Sequence, residues 1–159
     1  MKSNTRLITI CILLFLLNSC RQIDVYEKSI PISHHSWKHN YTCNGSFIIN
    51  DTLAYYNIYI IIRHTDSYKY NNIWLNVGLQ SPGDQMNFQK QNLTLSDDAN
   101  GWYGSGMNDI WEVRKLLNDK PRRFRKNGEY HFLLENLMRD NPLDGVMSAG
   151  LRVEKVVAQ

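Results

Sequence analysis

Cysteine, proline and net charge are all scarce in this 159-residue chain, which has three cysteines, four prolines and a formal charge of +3. Three thiols do not make a disulfide-stapled scaffold, and four scattered prolines exclude a proline-rich rod. So small an excess of basic residues excludes the electrostatic footprint of a nucleic-acid binder. No apolar stretch reaches the roughly 20 residues that a membrane-spanning helix requires. Internal repeats and low-complexity tracts are also missing, which excludes solenoids.

The first twenty residues do have a pattern. Lys2 and Arg6 precede Leu7 to Leu17, an apolar run broken only by Thr9, and Arg21, Gln22 and Asp24 close it. That is the length and flanking charge of a signal-peptide hydrophobic region. Leu17-Asn18-Ser19-Cys20 resembles a bacterial lipobox, although Asn18 stands where a small residue is usual. The expectation is a lipoprotein signal peptide over residues 1–19, cut ahead of Cys20. The Cys20 thiol would take a diacylglycerol and the new amine a further acyl chain, because one chain alone binds a membrane only marginally. Cys11 would then leave with the signal, and Cys43 would be the one free thiol, unable to form an internal disulfide. The mature chain would hold 16 basic and 15 acidic residues.

Residues 20–36 read as a lipidated N-terminus and tether, since Pro31 and Ser33-His34-His35-Ser36 show no sustained period. Residues 37–159 read as one domain. From Trp37 the apolar period is two: Tyr56, Ile58, Ile60 and Ile62 share a face, as do Ile73, Leu75, Val77 and Leu79. Phe47 and Ile49, Tyr130, Phe132 and Leu134, and Met147, Ala149, Leu151 and Val153 repeat the pattern, in runs rich in β-branched and aromatic residues. Met86-Phe88 and Leu93-Leu95 stand in opposite parity, which predicts a bulge or break between them. Asn108 to Asn118 suits either a helix face or a strand interrupted at Lys115, and neighbouring strands favour the strand. Asn44-Gly45, Ser81-Pro82-Gly83, Asn100-Gly101, Asn127-Gly128 and Asp144-Gly145 punctuate the runs. The predicted fold is all-β, a single antiparallel β-sandwich of jelly-roll type with seven or eight strands.

Candidate chemistry is thin. Gly104-Ser105-Gly106 is not a nucleophile elbow, because Tyr103 and Met107 stand where glycines are needed, and it has no third glycine for a dinucleotide loop. Ser96-Asp97-Asp98-Ala99-Asn100-Gly101 lacks the leading Asp and closing Glu of a calcium loop, so a hairpin turn is the simpler reading. His34, His35 and His39 have no carboxylate or thiol to complete a metal set, so no metal or other cofactor is expected. Asp51-Thr52-Leu53 resembles the Asp-Thr-aliphatic sequon of exported Bacteroidota proteins, making Thr52 a candidate O-glycosylation site. In Pro121-Arg122-Arg123-Phe124-Arg125-Lys126 the cations suit a solvated strand edge or a contact with acidic headgroups or an acidic partner. Tyr59, Trp74, Trp102 and Tyr103, with Arg123 and Arg125, form the candidate binding surface. These four aromatics, with Tyr55, suit a binding face and a second sheet's core equally well.

Several of these segments, taken in order, carry a family resemblance. Tyr56-Asn57-Ile58-Tyr59-Ile60, Arg63-His64, Tyr68-Lys69-Tyr70-Asn71-Asn72-Ile73-Trp74-Leu75 and Gly101-Trp102-Tyr103-Gly104-Ser105-Gly106 resemble the gliding-motility lipoprotein GldH family of Bacteroidota. Asn127-Gly128-Glu129-Tyr130, Pro142-Leu143 and Gly150-Leu151-Arg152-Val153-Glu154 continue the likeness, and the lipobox belongs to it. The resemblance implies a non-enzymatic cell-envelope lipoprotein, anchored in the membrane through acylated Cys20. It would support gliding motility or the associated secretion and envelope machinery through protein contacts, most naturally from the outer membrane facing the periplasm. The alternative expectation is a glycan-binding envelope lipoprotein.

Overall fold

Alternating apolar and polar residues give each long segment one face to bury, and two such sheets laid face to face bury both. The computed structural model describes residues 25–156. The strands are β1 (Val25–Pro31), β2 (Ser36–Trp37), β3 (Cys43–Ile49), β4 (Tyr56–Thr65), β5 (Asn72–Gln80), β6 (Asn87–Thr94) and β7 (Ser96–Asp97). They continue with β8 (Gly101–Trp102), β9 (Ser105–Met107), β10 (Ile110–Leu116), β11 (Gly128–Asn136), β12 (Leu143–Asp144) and β13 (Val146–Lys155). One sheet has the order β1-β13-β4-β10-β9 and the other β3-β11-β5-β6, with every pairing antiparallel. The chain crosses between the sheets at most connections, which is the expected jelly-roll-like winding of a sandwich.

Apart from Met147, the inward faces are those predicted. Tyr56, Ile58, Ile60 and Ile62 meet Ile73, Leu75, Val77, Phe132 and Leu134 in one core. Its aromatic centre is Phe47, Phe124 and Tyr130, with Phe124 and Tyr130 centroids 4.7 Å apart. Cys43 is buried and unpaired, and burial pushes its thiol up to about 12, so it is an inert core residue.

Four expectations are corrected. Within the tether proposed for residues 20–36, Val25–Pro31 is instead β1, paired along its length with β13. Its partner strand lies at the opposite end of the sequence, so no local period marks it. The bulge predicted after Phe88 is absent, because β6 pairs with β5 in unbroken register and shows Phe88 on one face and Leu93 on the other. A register shift occurs instead between Val146 and Ser148, moving Met147 out of the inward row and Val146 into it. Finally, β10 is a strand as favoured, but it continues through Lys115, whose ammonium lies 4.6 Å over the Tyr103 ring.

Candidate functional site

Each sheet has one face on the core and one facing outward, and the two outward faces are built differently. On the five-stranded sheet, Tyr59, Ile61 and Arg63 of β4 point out between Arg152, Gly150 and Ser148 of β13 and Leu116, Arg114 and Glu112 of β10. Ile61 is outward by parity yet only 1% exposed. Across the ladders Ile61 stands between Arg114 and Gly150, and the charged side chains of this face form a lattice around it. Arg63 and Arg114 bind Glu112 at 2.6 and 2.8 Å, Arg114 reaches Glu27 at 3.5 Å, and Arg152 holds both Glu27 and Glu154. Burial alone would raise the Glu112 carboxyl, but hydrogen bonds from Arg63 and Arg114 outweigh it and hold the group below its ordinary range. Three arginines and three glutamates thus pair across the middle of this face and neutralise each other, while Ile110, Leu116 and Met107 are exposed toward its β10–β9 edge.

The four-stranded sheet has no such lattice. Trp74 is 42% exposed and Phe88 48% exposed, and Ile48 and Leu137 are also exposed. Phe88 and Met86 lie over Gly78, where a Cβ would stand 2.5 Å from the Met86 sulfur. Around these apolar groups stand amides: Asn72 donates to Asn92 at 2.7 Å and Asn76 to Glu135 at 2.9 Å. Beside Trp74 an open groove of about 460 Å³ runs between Tyr70, Leu137, Met138 and Arg139.

The six residues singled out as a binding surface are therefore not one surface. Tyr59 faces out of the five-stranded sheet and Trp74 out of the four-stranded sheet, because β4 and β5 lie in different sheets. Trp102 packs 4.5 Å from the buried ring of His64 at one end of the sandwich. There His64 Nδ1–H donates to the Thr65 carbonyl, and burial lowers the affinity of the ring for a proton. Tyr103 donates to Asp97, and that bond, with those from Asn100, lowers the Asp97 carboxyl to about 2. Trp102 and Tyr103 therefore close the core at the β7–β8 hairpin. Arg123 and Arg125 are exposed on the loop before β11, Arg123 lying 4.6 Å over Tyr55. Thr52 is half-buried in the bend before β4, where Asp51 accepts from the amides of Leu53 and Ala54 and pairs with Lys155. Cys20 lies outside the described residues.

Gly104 and Gly106 have structural roles. Gly104 has φ +91°, and a Cβ there would stand 2.0 Å from the Glu112 carbonyl, while one on Gly106 would meet the Trp111 ring at 2.7 Å. His39 hydrogen-bonds the Met138 carbonyl at 2.9 Å, away from a shared site with His34 and His35, and no metal-ligating cluster occurs among the described residues. Sequence reasoning missed Phe88 and the charge lattice. Both depend on ladder register: Gly78 stands opposite Phe88 only once β5 and β6 are aligned, and the lattice draws on four strands.

Residues 24–153 match the family described as GldH lipoprotein. The chain is 26% identical over 149 residues to a gliding motility lipoprotein GldH homolog of Christiangramia forsetii, covering 89% of this chain and 90% of that protein. It is 24% identical over 161 residues to the gliding motility lipoprotein GldH of Flavobacterium johnsoniae, covering 97% of each.

Proposed function

Because the chain belongs to the GldH lipoprotein family, we propose that it is a lipid-anchored cell-envelope protein of the gliding apparatus, or of its linked secretion machinery, that acts by contact and carries out no reaction. The family description and the names of both relatives support the lipoprotein and gliding parts of this reading. Acylated Cys20 holds it to the outer membrane, with the domain in the periplasm, and the outward face of the four-stranded sheet meets a protein neighbour. The observation that carries the contact reading is the difference between the two outward faces. Aromatic and aliphatic side chains among amides, with few charges, is the make-up of an interface core. A face whose central arginines and glutamates are paired with one another is the make-up of a solvated wall.

Placing a photo-crosslinking residue at Trp74 or Phe88, and for comparison at Arg63, tests this in native cells. Discrete adducts are expected from positions 74 and 88 and none from 63. Equal yield from position 63, or no adduct from either apolar position, would sink the assignment of the face. The groove beside Trp74 and Tyr70, with Asn72, Asn76 and Asn92 near it, favours glycan as the second reading. Saturable binding of isolated envelope polysaccharide, lost in Trp74→Ala, would decide for it.

A further inference from the structure

The topology brings the start of β1, the end of β13 and the start of β4 to one end of the sandwich: Val25 is opposite Glu154, which is opposite Asn57. Cys20 precedes Val25 by five residues, and an extended chain gains at most about 3.6 Å per residue, so the thiol stays within about 18 Å of this end. Two loops share the same end. Residues 50–55 and 117–127 are tied together by reciprocal backbone bonds between Tyr56 and Arg122 of 2.8 and 2.9 Å, and Val156 donates to the Tyr55 carbonyl at 2.7 Å. Phe124 plugs the second loop into the core.

What these loops present is unusual for a water-facing tip. Leu53 is 77% and Tyr55 48% exposed. A shallow hollow of about 370 Å³ lies between Tyr55, Lys120, Pro121 and Val156. Residues 117–127 carry five cations and one carboxylate, Asp119. Lys126 is paired with Asp84, Lys155 with Asp51, and Arg122 lies 5.3 Å over the Phe124 ring. Lys120, Arg123 and Arg125 have no carboxylate partner among the described residues.

We propose that this end of the sandwich docks on the anionic surface of the bilayer that holds Cys20, with Leu53 and Tyr55 in the headgroup layer and Lys120, Arg123 and Arg125 on lipid phosphates. Apolar tips ringed by cations fit an interface that is greasy beneath and negative above. A tether of a few residues keeps these groups at the surface, where even weak attraction fixes orientation. The strands then rise from the membrane, and the unshielded sheet face looks sideways to neighbours in the same plane. This inference rests on the Cys20 anchor and adds an orientation to it.

The test uses the full lipidated protein in phosphatidylcholine vesicles with and without phosphatidylglycerol. Leu53→Cys and, separately, Phe88→Cys are nitroxide-labelled, Cys43 being buried and protonated. In anionic vesicles the label at 53 is expected to lose collisions with a water-soluble nickel chelate and gain them with oxygen. The label at 88 is expected to stay in water. High salt, or Arg123→Glu with Arg125→Glu, should restore nickel collisions at 53, because the attraction is screened or reversed. Labels at 53 and 88 that remain equally accessible in both vesicle types would overturn the docking. So would an intact mass showing a glycan on Thr52, which would hold Leu53 off the bilayer. The anchor is read separately: the parent chain should float with vesicles at high salt and take up no label. Failure there removes the anchor, whereas floating with a wet position 53 removes only the orientation.

Discussion

The outward faces of the two sheets began with the same problem and solved it differently. Each has β-branched or aromatic side chains at positions that alternate away from the core. On the five-stranded sheet Ile61 stands between Gly150 and Arg114, in a face where arginines and glutamates of four strands pair with one another, and it is buried. On the four-stranded sheet the neighbours of Trp74 and Phe88 are asparagine, lysine and glycine, too short, too polar or too few to form a lid. An apolar residue on a sheet is thus surface or interior according to what stands across the ladder from it, and its own identity does not decide.

Ile61→Ala should show the largest effect, a loss of about 2 to 4 kcal/mol as for a truncation in a packed core, read from urea midpoints. A loss no greater than that of Trp74→Ala would erase the distinction between the faces. Gly104→Ala attacks the lattice from below: a Cβ 2.0 Å from the Glu112 carbonyl and a positive φ predict roughly 2 kcal/mol of destabilisation. Amide exchange should quicken along β9 and β10. Glu112→Gln should cost about 1 kcal/mol at neutral pH, since its arginine partners are half exposed and the pairs are partly screened. The sign with pH follows from the carboxyl being held below its ordinary 4.5 in the fold. Its contribution is complete above pH 4.5 and disappears as the pH falls through the lower, folded-state value. Parent and Glu112→Gln stabilities should therefore converge in acid, and a constant gap down to pH 3 would contradict the lattice. Phe88→Ala should shift stability least, by roughly 0.5 kcal/mol, while abolishing the crosslinks expected at that face.

The strands were legible because one buried face imposes a period of two, and Tyr56 to Ile62 or Ile73 to Leu79 needed nothing more. β1 was not, since Glu27, Lys28 and Ser29 interrupt its pattern and its only ladder is to a strand more than 100 residues away. Trp102 and Tyr103 looked equally like surface and core because two-residue strands have too little length to display parity. The basic loop was read as a strand edge; its real organisation depends on Phe124 reaching the core, a tertiary contact that composition does not reveal. Family likeness was readable from ordered short motifs, whereas the contrast between the faces needed the register of every ladder.

β1 occupies the rim of its sheet, bonded to β13 alone, and the chain leaves it toward the N-terminus at the end where residues 53 and 55 protrude. A pull applied at Val25 along the strand axis would therefore strain the rungs from Val25 to Pro31 together instead of peeling them one at a time. A coupling whose rungs share force in this way gives only when many break at once.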